Sequence, residues 1–146
     1  MKVEIKLEEN CSETKAIIVT DKMTEEISQL SRCLANERSQ ELIGFDGENA
    51  ELLDQTDIIR IYASNGKVYA LTDRQEYALR MRLYEVEEKL NNASFVRISY
   101  SEIINIKKVK KFDLSLVGTI RVSLSNGDIS YVSRRYVKKI KQTLGL

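Results

Sequence analysis

A chain of 146 residues with 42% hydrophobic content suffices for one domain with a small appendage and is too apolar for wholesale disorder. It has no histidine, which removes Ser-His and Cys-His catalysis and His-ligated zinc, and its two cysteines, Cys11 and Cys33, form no CxxC. The net charge of +1 hides a polarity, with −7 over residues 1–56, zero over 57–92 and +8 over 93–146. That separation points to an anionic partner for the basic part.

No run of 18 apolar residues is present, and the opening MKVEIKLEEN lacks the apolar core of a signal peptide, so the chain is expected to be cytoplasmic. Carboxylates such as Asp46, Glu48 and Asp54 show no metal-ligand spacing. The expectation is therefore a non-enzymatic chain with no metal and no cofactor.

In chain order, residues 2–8 alternate Val3, Ile5 and Leu7 and predict a strand, and AIIVT at 16–20 predicts a second. Asp21 is placed to cap a helix whose stripe is Met23, Ile27, Leu30 and Leu34, with Cys33 beside it as a small core residue. This β-β-α head, residues 1–44, is too small to bury much alone. Strand follows strand from residue 42. DIIRIYAS at 57–64 and KVYALT at 67–72 flank Asn65-Gly66, a hairpin signal because both turn positions need positive φ. Residues 77–83 read as extended. A short helix over Leu83, Val86 and Leu90 ends at Asn91-Asn92, and FVRIS at 95–99 is a strand. Ser99-Tyr100-Ser101-Glu102 has the spacing of a capping box and predicts a turn of helix after it. Residues 119–133 form a second Asn-Gly hairpin at Asn126-Gly127, and Ser133 caps a last helix with Val137, Ile140 and Leu144 on its apolar face.

Lys107, Lys108, Lys110 and Lys111 place four cations in five residues within the +8 block, suited to neutralising phosphates without choosing sequence. Arg134 and Arg135 differ, since a planar guanidinium can take guanine O6 and N7 together.

The blocks FVRISYSEIINIKKVKKF (95–112) and LSNGDISYVSRRYVKKIK (124–141) resemble the LytTR DNA-binding domain of bacterial response regulators. The matching positions are Phe95, Arg97, Ser101, Ile103, Ile104 and Asn105, then Asn126-Gly127 and Val132-Ser133-Arg134. The likeness reaches back to about residue 45. It implies a mainly β fold with short helices, an elongated antiparallel β-β-β reader over residues 45–146 that enters double-stranded DNA with loops. It further implies a transcriptional regulator that binds paired repeats upstream of promoters. Residues 1–44 are too short for a receiver domain, so the chain resembles the compact stand-alone members, some of which are held inactive by a small membrane protein.

By the same resemblance, Arg135, Tyr100, Lys67 and Asn65 are expected at base edges. Ser101, Ser133 and Arg134 join Lys107, Lys108, Lys110 and Lys111 at phosphates, and Asn105 is expected to pin backbone. Paired sites require two readers, so the head is expected to form a homodimer interface through Met23, Ile27, Leu30 and Leu34 or through its strands. The stripe packing on the reader's own sheet stays open. So does a rival reading, a protein-interaction module or anti-regulator whose acidic head or β surface binds a protein.

Overall fold

The computed structural model describes residues 1–35 and 41–146. The chain divides into two compact units, Met1–Arg38 and Ser39–Leu146. In the first, the described residues hold one helix, α1 (Glu25–Ala35). Its N-cap is Thr24 rather than Asp21, because Thr24 Oγ1 accepts from the Ile27 N–H at 3.3 Å. Glu25 and Glu26 fill the first turn and Arg32 the last, each where the helix dipole favours its sign. Ile27 and Leu30 are half-buried, while Met23 and Leu34 are exposed. Cys33, expected in a core, is an exposed free thiol instead.

The two head strands are not formed. Residues 2–8 and 16–20 carry no ladder, and Val3, Ile5 and Leu7 are 76–92% exposed. Two short strands make at best a marginal ribbon in water, and the described residues of this unit supply no third.

The second unit is built from antiparallel strands: β1 (Leu42–Asp46), β2 (Asn49–Leu53), β3 (Ile58–Ser64), β4 (Lys67–Thr72), β5 (Glu76–Leu79), β6 (Phe95–Ser99), β7 (Glu102–Asn105), β8 (Val109–Asp113), β9 (Ile120–Leu124) and β10 (Ile129–Val132). The helices α2 (Leu83–Lys89) and α3 (Arg134–Leu144) complete it. Seven strands form one sheet in the order β2-β1-β5-β4-β3-β7-β6, and three form another in the order β10-β9-β8. The mainly antiparallel β architecture is the one expected.

Two apolar cores lie on opposite faces of the large sheet. Ile58, Ile61, Val68, Leu79 and Ile103 pack with Leu83, Val86 and Leu90 of α2 and its C-cap. Ile59, Val96, Ile98 and Ile104 pack with Ile120, Val122 and Leu124 of the small sheet and with Ile140 of α3. Neighbours Ile103 and Ile104 serve different cores because successive strand residues point to opposite faces. Ile58 and Ile61 break that parity, three residues apart yet in the same core. A register shift between Ile58 and Arg60 resolves it: the extra residue resets the alternation.

Three further expectations change. β5 stops at Leu79, so the extended run 77–83 is cut short by a bend before α2. No helix follows Ser99–Glu102: these residues close the β6–β7 hairpin, and Glu102 begins a strand. Its carboxylate is claimed by Arg60 Nη1 at 2.5 Å and by the Ser130 hydroxyl at 3.2 Å, so it cannot reach back to a cap. Both hairpins form at the Asn-Gly pairs but differ in type. Asn65 and Gly66 both take positive φ, 51° and 75°, whereas at the second only Gly127 does, at 91°. There Gly127 N–H bonds the Leu124 carbonyl, and the glycine supplies the left-handed step of a three-residue loop.

Candidate nucleic-acid interface

Two backbone hydrogen bonds decide where the chain's exposed polar tips lie. Ala63 N–H, near the end of β3, donates to the Ser101 carbonyl at 2.8 Å, which sets the β3–β4 tip beside the β6–β7 turn. Ser133 N–H donates to the Ile98 carbonyl at 2.9 Å, which sets the start of α3 against the end of β6 that leads into the same turn. Asn65, Lys67, Tyr100, Ser101, Ser133, Arg134 and Arg135 are thereby gathered at one end of the unit, all of them exposed.

The turn carrying Tyr100 is held rigidly from below. Arg97, with a side chain only 13% exposed, pairs with Glu87 Oε2 at 2.7 Å and donates from Nε to the Ser99 carbonyl at 3.0 Å. Its Nη2 donates to the Tyr100 carbonyl. One guanidinium fork thus fixes two successive carbonyls, a geometry lysine cannot reproduce. Ser99 Oγ accepts the Ser101 N–H at 3.2 Å. Tyr100 itself is 86% exposed. The β3–β4 tip is stiffened by the cross-strand pair Tyr62 and Tyr69, whose rings lie 5.5 Å apart, with Arg60 stacked 4.6 Å above Tyr62.

The lysine run is divided by the fold. Lys107 and Lys108 lie in a 3-10 turn after Asn105, at the opposite end of β7 from Tyr100, and Lys108 Nζ is 3.8 Å from Asp73. Lys110 and Lys111 are exposed on β8, which leads back toward the end that carries Tyr100 and Ser133, where Asp113 pairs with Arg121 of β9. Asn105 is buried and pins backbone: Nδ2 donates to the Ile58 carbonyl at 2.9 Å and Oδ1 accepts the Lys107 N–H at 3.0 Å. Sequence reasoning passed over Lys138 and Lys139, exposed on α3 three and four residues beyond Arg135. Their helical spacing, opposite Val137, Ile140 and Leu144, was the available signal.

The family model of the LytTr DNA-binding domain matches residues 48–145. The chain belongs to the LytTR family. Relatives of nearly equal length match almost the whole chain. An uncharacterised HTH-type transcriptional regulator of Staphylococcus aureus (strain NCTC 8325 / PS 47) is 32% identical over 147 residues, covering 100% of this chain and 99% of its own. Another, from strain MSSA476, is 33% identical over 140 residues, with 94% and 95% covered. In fold, the second unit is similar to the LytTr DNA-binding domain of a Bacillus cereus response regulator, at a TM-score of 0.70 and 22% identity over 73% of this chain and 97% of that one.

Among the described residues, the LytTR unit presents no helix-turn-helix. Its two α-helices are separated by five strands rather than by a short turn. The exposed end described above consists of turns and one helix start. Among the described residues, no helix is long and apolar enough to cross a membrane, and no group of three or more acidic or thiol side chains is placed to hold a metal.

Proposed function

We propose that this LytTR chain is a sequence-specific transcriptional regulator that binds paired repeats in promoter DNA as a homodimer. The observation carrying this reading is the convergence of three connections at one end of the unit, fixed by the Ala63–Ser101 and Ser133–Ile98 backbone bonds. Arg135 is the principal base reader, able to take guanine bidentately, with Tyr100, Asn65 and Lys67 at neighbouring base edges. Ser101, Ser133 and Arg134 contact phosphates, with Lys110, Lys111, Lys138 and Lys139 extending the backbone footprint. Lys107 and Lys108 are remote from this cluster, and Lys108 has an acidic neighbour, so the lysine run contributes in part only.

Homodimerisation falls to α1. Of the expected stripe, Ile27, Leu30 and Leu34 lie on the helix, while Met23 precedes the Thr24 cap and stands outside it. Laid antiparallel about a two-fold axis, Ile27 of one copy meets Leu30 of the other, with Leu34 and the Met23 that precedes the helix flanking the contact. The opposed dipoles favour this direction over the parallel one.

The test is an electrophoretic shift on the protein's own upstream DNA across a salt series. Four or five neutralised phosphates give a log-log slope near about −4. Binding indifferent to salt, or to sequence, refutes the reading. Sedimentation of Leu30→Asp tests the head: a folded monomer from a wild-type dimer supports it. A wild-type monomer at high micromolar concentration refutes it.

A further inference from the structure

The β8–β9 loop, residues 114–119, has no role in the surface above, yet it is an ordered apolar projection beside it. Its start is fixed by an Asx turn: Asp113 Oδ1 accepts the Ser115 N–H at 3.0 Å and the Ser115 hydroxyl at 2.6 Å. Its end is fixed by the Thr119 hydroxyl, which donates to the Val132 carbonyl at 2.6 Å, one residue before the α3 N-cap. Gly118 lies against the Arg134 side chain, where even a Cβ would come within 3.3 Å of Nε. Between these anchors Leu114 is 46%, Leu116 41% and Val117 98% exposed.

The surroundings of this tip are basic. Lys111, Arg121, Arg134 and Arg135 are exposed on the adjoining strands and helix start. Asp113, at the start of the loop, accepts two hydrogen bonds from Ser115 at Oδ1, which with Lys111 and Arg121 nearby hold its pKa below the ordinary aspartate value. An apolar point in a cationic collar, continuous with the proposed reading surface, matches a polyanion that itself displays apolar groups. The duplex has such groups in the thymine 5-methyls of the major groove, which apolar side chains recognise.

We propose that Leu116 and Val117 form a second specificity element that packs against a thymine methyl in the groove entered by Arg135. The inference rests on the DNA-binding reading and would make an A·T pair beside the arginine's guanine part of the site. The pre-formed loop binds without an ordering cost.

The experiment uses the full chain and the tightest duplex recovered from a random-sequence pool, with each thymine replaced singly by uracil, which deletes only the methyl. Wild-type protein should lose about fourfold in affinity at one or two positions, the worth of one buried methyl group. Leu116→Ser/Val117→Ser should bind the parent duplex more weakly by a similar factor per lost contact and show no further loss with uracil. Circular dichroism and the thermal midpoint should stay near wild type, because both side chains project from the loop. Equal uracil sensitivity in wild type and variant overturns the proposal. Weakening by the variant without any uracil effect assigns the loop to sugar or to a protein neighbour, and also overturns it. Failure to recover any enriched duplex instead defeats the DNA-binding reading itself.

Discussion

Replacing Arg97 with alanine tests whether the reading turn is held by one side chain. The substitution deletes the fork on the Ser99 and Tyr100 carbonyls and the 2.7 Å pair with Glu87. A hydrogen bond from a charged donor is worth about 1.5–3 kcal/mol, and the lower end applies because these carbonyls sit at a surface turn. The pair adds up to about 1 kcal/mol, since the Glu87 side chain is 39% exposed. The two bonds and the pair together give an expected destabilisation of about 3–4 kcal/mol, or roughly a 2–3 M shift in the urea midpoint for a domain of this size. Arg97→Lys keeps the charge opposite Glu87 and loses the fork, so it should suffer most of the same loss. DNA binding in conditions where the variant is folded should lose discrimination where Tyr100 touches, with the salt slope retained. A destabilisation below about 0.5 kcal/mol, or an Arg97→Lys variant matching wild type, refutes the argument.

Arg135→Ala should cost about 1–3 kcal/mol at one base pair only, whereas Lys110→Ala should weaken all sequences alike and flatten the salt slope by about one; uniform losses from both would remove Arg135 from the base readers. Asn105→Ala strands the buried Ile58 carbonyl and frees the 3-10 turn, so chemical denaturation should report a loss of about 1–3 kcal/mol. The hydrogen bonds from Ser115 favour the Asp113 carboxylate and hold its pKa below 3.8. Their stabilisation is complete above that ordinary value and disappears as pH falls through the lower folded one. The difference in thermal midpoint between wild type and Asp113→Ala should accordingly stay constant above pH 3.8 and close below it.

Local signals carried far in the second unit because they were redundant there. Asn65-Gly66 both demanded positive φ and sat between alternating strands, and the hairpin formed in that register. The Val137, Ile140 and Leu144 stripe likewise produced α3, with Ile140 buried. Illegible were features decided by distant partners. The Ser99–Glu102 spacing fits a capping box, but Arg60, 42 residues away, takes Glu102 into a strand. The bulge at Ile58–Arg60 left no mark in the alternation until both cores were seen. In the head, alternation at 2–8 described a surface able to pair, yet a strand also needs a neighbour. For the candidate site, the motif positions were visible one by one. That Lys107 and Lys108 would lie away from Tyr100 was not, because contiguity in sequence says nothing about which end of a four-residue strand a side chain occupies.

The tips that converge at the reading end are tied together by main-chain groups, Ala63 to Ser101 and Ser133 to Ile98. Main-chain ties are indifferent to what the side chains at 67, 100 and 135 happen to be, whereas position 65 must keep a residue that tolerates positive φ. The other three positions can therefore be exchanged without moving the platform, and the two cores beneath them have no stake in the outcome. A library randomised at 67, 100 and 135 should stay folded throughout while its members diverge in preferred operator, which makes this scaffold a candidate for retargeting by substitution alone.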